Sequence, residues 1–341
     1  MTAFFNGDIQ LRIAPQELER LTIDVLTKHQ TSLENATCVA KALVHADMDG
    51  LRSHGVARLY AYAKQAKNGK VDGRAVPHLS QLTPSALSVD AAGGFAYPAI
   101  QLGLGEAEKR VKTSAVVALS IGQSHHAGAI GQFIEPLAKR GLMVLAFSNA
   151  TAAIAPAGGN RALFGTNPIA FSCPRVAEEP LLLDLSLSKV ARGKIKLAAD
   201  AGREIPEGWA VDSTGMPTTD AQQALEGALT PIGDSKGAVL AMMLELLCAG
   251  LSNSNYAYQA GSFFTDQGVQ PRIGQLFILI DPERFNPHFT QHAEALFTEI
   301  LKQEGTRIPG VNRLSRRRDA IENGIELDDA LMAQIEALRQ V

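Results

Sequence analysis

The strongest constraint on the fold lies beyond residue 85, where the chain breaks into short apolar runs of strand length: "SALSVDA", "AVVALSIG", "LMVLAFSN", "IAFSCP", "LLLDLS" and, much later, "QLFILIDP". Helical periodicity over 97–112, 129–140 and 236–251 separates some of these runs, so this part of the chain should form an α/β core. Such alternation suggests a doubly wound nucleotide fold, whose first strand-to-helix turn carries Gly-x-Gly-x-x-Gly. The nearest match, "GLGEAE" at 103–108, has Glu108 where the third glycine belongs and sits inside a helical stretch. No Gly-x-x-x-x-Gly-Lys-Ser/Thr loop is present either. A dinucleotide, if bound, must be held by another route.

Residues 15–69 read as helical. "PQELERLTIDVLTKH" opens on a proline at a permitted first-turn position, and Thr31 with Glu34 has capping-box spacing ahead of the stripe Val39, Ala40, Leu43 and Val44. A third helix is expected from Ser53 to Lys67, with Leu59, Tyr62, Ala63 and Ala66 inward and Asn68-Gly69 as its stop. The stretch 200–235, rich in Gly, Pro and Asp, reads as an extended surface excursion. After Pro282 the chain turns helical again, and these last helices are expected to pack on the first lobe.

With 341 residues, 46% hydrophobic content and a formal net charge of -3, the chain is long enough for several packed lobes. No apolar run reaches the ~20 residues of a membrane span, and the start lacks a secretory signal pattern, so a cytoplasmic protein with no membrane association is expected. The three cysteines, Cys38, Cys173 and Cys248, are isolated, which supports neither a disulfide framework nor a metal knot, and each should be a small buried residue. The one concentrated basic run, "RLSRRRD" at 313–319, is a solvated helix face or an anion contact; no face suited to nucleic acid is evident.

Four stretches can carry chemistry. "SHHAGAIG" follows a strand and opens a helix, with Ser124 as a candidate cap, and exposed backbone N–H groups there suit a phosphate. Adjacent histidines diverge, so His125 and His126 are poor metal ligands and no metal is expected. "FGTNP" at 164–168 is turn chemistry, or it presents Thr166 or Asn167 to a ligand at a strand mouth. Lys236 opens a strongly apolar helix, where a cation is unfavourable unless an anion joins it. In "SHGVAR", His54 and Arg58 are four apart and would share a helix face. Arg58 could grip a carboxylate while His54 exchanges a proton and Ser53 caps the helix or orients the ring; a capped start with an idle histidine is the plain alternative.

Taken together, "DGLRSHGVARL", "GKVDG", "SHHAGAIG", "FGTNPIAF", "LDLSLSKVARGK", "PEGWAVD", "SKGAVLAMMLELLCAG", "GQLFILIDP" and "RIPG" resemble the malate/L-lactate dehydrogenase-like oxidoreductases along nearly the whole chain. Within that family, "SHHAGAIGQFIEPLAKRGL" and "GQLFILIDP" are similar to the Δ1-piperideine-2-carboxylate/Δ1-pyrroline-2-carboxylate reductases. The resemblance implies an α/β (α+β) fold with no Rossmann domain. It implies a cofactor lobe around a mostly antiparallel sheet at 81–284, a helical lobe from both chain ends at 1–80 and 285–341, and a homodimer. It further implies His54 as proton donor with Ser53 beside it, and Arg58, Thr166, Arg192 and Gly193 on the substrate side. Cofactor contacts would fall on His126, Ala127, Gly128, Ala129 and Ile130; on Asp184, Leu185 and Ser186; on Lys236; and on Arg307, Ile308, Pro309, Gly310, Val311, Asn312 and Arg313.

The activity so implied is NADPH-dependent reduction of a cyclic 2-imino acid, with NADH as the other cofactor. The alternative is a 2-hydroxy-acid dehydrogenase acting on malate, L-lactate or ureidoglycolate. Some imine reductases of the family complete a Ser-His-Asp relay, whereas this chain has Lys194 where that aspartate stands; "ARGK" is similar to the hydroxy-acid branch.

Overall fold

The computed structural model describes residues 11–340. The first helices are α1 (Pro15–Lys28), α2 (Leu33–Met48) and α3 (Leu59–Lys67). Leu18, Val25, Leu43, Leu59 and Tyr62 pack with Ile335 and Leu338 of the last helix, α11 (Asp329–Arg339). Strand β1 (Leu11–Ile13) pairs antiparallel with β12 (Ile325–Leu327). The two chain ends thus build one helical lobe. The cap of α2 is Ser32, whose Oγ accepts from Asn35 N at 3.3 Å, and not Thr31, which is buried.

The sheet lobe contains β2 (His78–Thr83), β3 (Ala86–Asp90), β4 (Val116–Ser124), β5 (Met143–Ser148), β6 (Ile169–Cys173), β7 (Leu181–Leu185) and β11 (Ile273–Ile280), in the order β2-β3-β4-β11-β5-β6-β7. Every neighbouring pair is antiparallel except β3–β4. The late run "QLFILIDP" therefore supplies the strand at the middle. Covered on both faces, it is a nearly continuous buried hydrophobic strand. One face carries α4 (Ala96–Ser114) and α5 (Gly131–Lys139) through Ile100, Leu104, Val111 and Ile134. "GLGEAE" lies inside α4, where Gly103 lets the helix settle on β4: a Cβ there would be 2.7 Å from Leu119.

The other face carries α8 (Ser235–Glu245), which continues into a single π turn at Leu246–Gly250. Beside α8 lie α6 (Arg192–Asp200) and α7 (Ala221–Glu226). The stretch 200–235 is more ordered than its composition suggests. It holds α7, capped by Asp220, and a small sheet of β8 (Ala210–Val211), β9 (Pro217–Thr218) and β10 (Ala228–Leu229). Helix α9 (Phe289–Leu301) does not join the helical lobe: Phe297 packs with Cys173 and Ile308, and Arg175 pairs with Glu294. Helix α10 (Val311–Asn323) returns to the helical lobe through Ala320. Cys173 and Cys248 are buried, while Cys38 is only partly so and lies against Gln101.

Candidate active site

The stretch "LRSHGVARL" is not a continuous helix start. It forms two single 3-10 turns, Arg52–His54 and Val56–Arg58, broken at Gly55. Asp47 of α2 causes the break: Val56 N donates to its Oδ2 at 2.7 Å, and a Cβ on Gly55 would lie 1.9 Å from its Oδ1. Burial pushes the Asp47 carboxyl up to about 7, against the hydrogen bond from Val56 N. His54 and Arg58 consequently do not share a helical face. Arg58 folds back instead, its Nε donating to Ser53 O at 2.7 Å, and Ser53 Oγ lies 3.0 Å from His54 Nδ1. Ser53 orients the ring and caps nothing.

A second histidine joins them. The ring of His126 lies 5.6 Å from that of His54, and its Nδ1 is 2.7 Å from the hydroxyl of Tyr62, itself 3.0 Å from the hydroxyl of Tyr97. Burial raises Tyr62 to about 12, so it is a neutral phenol. Burial, reinforced by the charge on Arg58, lowers His54 to about 4 and His126 well below the usual imidazole value. His125 is wholly buried against Tyr62, Phe95 and Phe263, with neither ring nitrogen partnered among the described residues, and burial holds it near 3. The core of the site is therefore two neutral imidazoles beside a guanidinium. Among the described residues Arg58 has no carboxylate within ion-pair distance, and its face lies on the Phe264 ring at 4.6 Å.

The expected cofactor positions gather along the end of β7. The loop His126–Ile130 bends at Gly128 (φ +65°), where a Cβ would meet the Tyr97 hydroxyl at 2.8 Å. It leads into α5, whose first N–H, on Gly131, donates to Asp184 Oδ2 at 2.8 Å. Burial raises Asp184 to about 6, with Gly131 N–H and Arg313 acting against it. Leu185 is exposed, and Ser186 Oγ lies 2.7 Å from Ser188 Oγ. Gly310 packs on Leu182, Ile308 is buried, and Arg313 lies 3.7 Å from Asp49. Arg307, Pro309, Val311 and Asn312 face solvent, as Lys236 does.

Leu187 links the remaining positions: its N–H donates to Thr166 O, and its carbonyl accepts from Ile232 N, both at 2.8 Å. Thr166, Ser186 and the approach to Lys236 are so drawn together. Arg192 donates to Leu225 O at 2.7 Å and has no carboxylate partner among the described residues; its burial lowers its proton affinity. A Cβ on Gly193 would meet nothing within 4 Å. No hydrogen bond or ion pair among the described residues joins Arg192 or Lys236 to His54. Lys194 is exposed on α6, and no carboxylate bonds to Ser53 or His54, so the relay is not assembled as a triad among the described residues.

A nicotinamide dinucleotide fits this edge. Lys236 and Arg307 are exposed cations with no ion-pair partner among the described residues, and α10 opens at Gly310 (φ +103°) with no side chain capping its first N–H groups. Uncapped N–H groups and cations are what phosphates require.

Several sequence expectations dissolve into scaffold. Asn167 is fully buried: it accepts from Ala150 N and donates to Ala241 O and Glu245, so only Thr166 remains of that pair as a ligand contact. Ser124 caps no helix; its hydroxyl is buried against Ile273 O and Gln275. In the basic run, Arg317 grips Asp49 and Glu135 at 2.7–3.0 Å, tying α10 to α2 and α5. His45, Asp49 and Glu135 are the one group among the described residues with metal-ligand proximity, and that guanidinium bridges its two carboxylates.

Three residues escape sequence reading: Tyr62, placed only in the core; Glu245, hidden in an apolar helix; and Phe264. A cleft of about 340 Å3 beyond Tyr97 and Phe133 holds none of the expected site residues.

The fold agrees with the comparisons. The malate/L-lactate dehydrogenase family profile matches residues 13–336, and the chain belongs to that family. A (2R)-3-sulfolactate dehydrogenase (NADP(+)) of Chromohalobacter salexigens is 46% identical over 325 residues, 95% of this chain and 97% of its own length. A Δ1-pyrroline-2-carboxylate/Δ1-piperideine-2-carboxylate reductase of Pseudomonas aeruginosa is 38% identical over 338 residues, covering 96% and 99%. The crystal structure of Δ1-piperideine-2-carboxylate reductase from Pseudomonas syringae superposes with a TM-score of 0.91 at 36% identity, over 96% of this chain and 99% of that one. The chain is an NAD(P)-dependent oxidoreductase.

Proposed function

We propose that the protein interconverts a small 2-hydroxy acid and its 2-oxo form with NADP(H), the substrate bearing a second anionic group on C3. The observation that carries the assignment to a 2-substituted carboxylate is Arg58. Its Nε is held by Ser53 O and its face by Phe264, which leaves the Nη edge for a two-pronged carboxylate bond beside two neutral imidazoles. The bound cofactor supplies or accepts the hydride at C2. His54, steadied at Nδ1 by Ser53, exchanges the hydroxyl proton through Nε2, with the His126 ring 5.6 Å away as a second imidazole of the site. A carboxylate on Arg58 offsets the charge that disfavours imidazolium, so substrate binding raises the proton affinity of His54. A second anion is supported by Arg192, a half-buried cation with no counter-ion among the described residues, and by the 46% identity to a sulfolactate dehydrogenase. NADP(H) over NAD(H) is supported by that relative's name and by the exposed Arg307, which has no ion-pair partner among the described residues.

The second reading is reduction of a cyclic 2-imino acid to L-proline or L-pipecolate, with His54 as proton donor. The aromatic wall of Phe263 and Phe264 and the Pseudomonas reductases favour it. A homodimer belongs to either reading, supported by the exposed apolar face of Val239, Leu240, Met243 and Leu246 on α8 and its π turn.

The deciding experiment assays purified protein with NADPH and NADH against 3-sulfopyruvate, oxaloacetate, pyruvate, Δ1-pyrroline-2-carboxylate and Δ1-piperideine-2-carboxylate. Highest kcat/KM on 3-sulfopyruvate or oxaloacetate is expected. A cyclic imine at the top replaces the first reading by the second, and no turnover of any compound sinks both.

A further inference from the structure

The segment Gly261–Gln270 lies against the site through Phe263 and Phe264 and combines a fixed backbone with an exposed tip. Its backbone is tied down by buried polar side chains. Gln65, fully buried on α3, donates to Phe263 O at 3.1 Å and Thr265 O at 2.8 Å, leaving its own Oε1 buried without a partner among the described residues. The Lys70 ammonium, 3% exposed, meets Thr265 O at 2.9 Å, Thr265 Oγ1 at 3.1 Å and Gln267 O at 2.7 Å. These three acceptors satisfy all three of its donors, and its burial works against its charge. Asn68 and Gln270 add bonds to Asp266 and Gly69 at the rim. Burying an ammonium and an amide is tolerated because these bonds satisfy their donors, and the same bonds fix the backbone of the loop.

The ordered tip, however, is an exposed aromatic. Phe263 is buried and packs against His126 with the rings tilted and their centroids 4.8 Å apart, while Phe264 is 60% exposed, with the Arg58 guanidinium over its ring. Burial of Phe264 in the free protein does not explain the anchoring, because little of it is buried. A guanidinium whose face lies on a ring presents its edge, and a flat apolar surface beside an ion pair keeps water from it.

We propose that this loop is a fixed wall of the substrate site: Phe264 holds Arg58 edge-on to the substrate carboxylate and shields that pair, and Gln65 and Lys70 are positioning residues for it. The proposal deepens the assignment of Arg58 to a carboxylate and is independent of which 2-substituted acid is turned over.

Oxalate, a planar carboxylate that imitates a 2-oxo acid, is titrated calorimetrically into the protein saturated with NADPH; substrate KM and kcat are measured alongside with whichever compound the panel selects. In Phe264→Ala, oxalate affinity should fall about three- to tenfold and KM rise in proportion. In that variant kcat, NADPH affinity and the thermal midpoint should stay near wild type. Phe264→Trp should restore affinity, which a purely steric role for the loop would not predict. In Lys70→Met, amides of 263–267 should exchange hydrogen faster and oxalate affinity should fall as well. Unchanged oxalate affinity in Phe264→Ala, or an equal fall in kcat at constant KM, overturns the proposal, as does a wild-type protein that binds no oxalate. Oxalate binding with the expected pattern but no turnover of the panel leaves this wall standing and removes the substrate assignment instead.

Discussion

Glu245 offers the sharpest test of how the tertiary structure builds the turn that carries Thr166. This carboxylate is buried where α8 gives way to the π turn, a helix irregularity common near functional sites. Its Oε1 accepts from Gly165 N at 3.1 Å and Asn167 Nδ2 at 2.8 Å; its Oε2 accepts from Ala257 N at 2.9 Å and Asn149 Nδ2 at 3.3 Å. Four donors from three segments thus converge on one acceptor pair, and they fix the turn that carries Thr166, including Asn167 at a positive φ of 30°. Glutamine has the same shape but only one acceptor oxygen. Whichever way its amide is turned, two of the four donors face an NH2 group. At about 1–3 kcal/mol for each buried donor left unsatisfied, Glu245→Gln should destabilise the protein by about 2–6 kcal/mol. With about 2 °C per kcal/mol for a chain of this size, the thermal midpoint should drop by about 4–12 °C. Differential scanning calorimetry reads this directly, and any residual native fraction should show a raised substrate KM because Thr166 is no longer held. A variant melting within 1 °C of wild type would refute the account of Glu245 as a hub.

Other outcomes follow from the same geometry. His54→Ala, with an intact fold by circular dichroism, should lower kcat by about 100-fold or more; near wild-type turnover removes His54 from the proton transfer. Because the Arg58 charge helps to hold His54 near 4, oxalate binding at pH 6 should take up protons, seen as a binding enthalpy that varies with buffer ionisation; no buffer dependence contradicts the coupling. Asp47 is raised from 3.8 to about 7, so between those values the folded state binds more protons than the unfolded one, and its contribution to stability falls as pH rises. Asp47→Asn should therefore gain on wild type from pH 4 to 7 and hold a constant difference above; a pH-independent difference in melting rejects the shift. Leu246→Glu places a charge on the exposed α8 face and should convert the expected dimer to monomer in light scattering; an unchanged mass removes that face from the interface.

The sequence by itself determined the elements and the family. Six apolar runs become six of the seven sheet strands because a short apolar run of strand length is legible without knowledge of its partner. The strand His78–Thr83 was illegible because it is an exposed edge with no apolar alternation. "SHGVAR" by itself reads equally as a capped helix start and as a site, and the ordered family matches along the chain raise the second reading.

Only the tertiary structure decided what those residues do to one another. The sequence places His54 and Arg58 one helical turn apart, but Asp47, a residue of the previous helix, breaks the turn at Gly55 and folds Arg58 back onto Ser53. Tyr62 reads as core from its spacing and is core, yet its hydroxyl also orients His126 across 64 positions of sequence. Asn167, Glu245 and Arg317 look like a ligand contact, a polar residue astray in an apolar helix and a solvated cation. Each proves to be an internal tie, because a hydrogen-bond partner far along the chain is fixed only when the sheet and helices bring it near. Local periodicity records which face of an element is buried. It carries no record of which buried polar group will meet which, and at this site those meetings set the orientation and the open edge of Arg58.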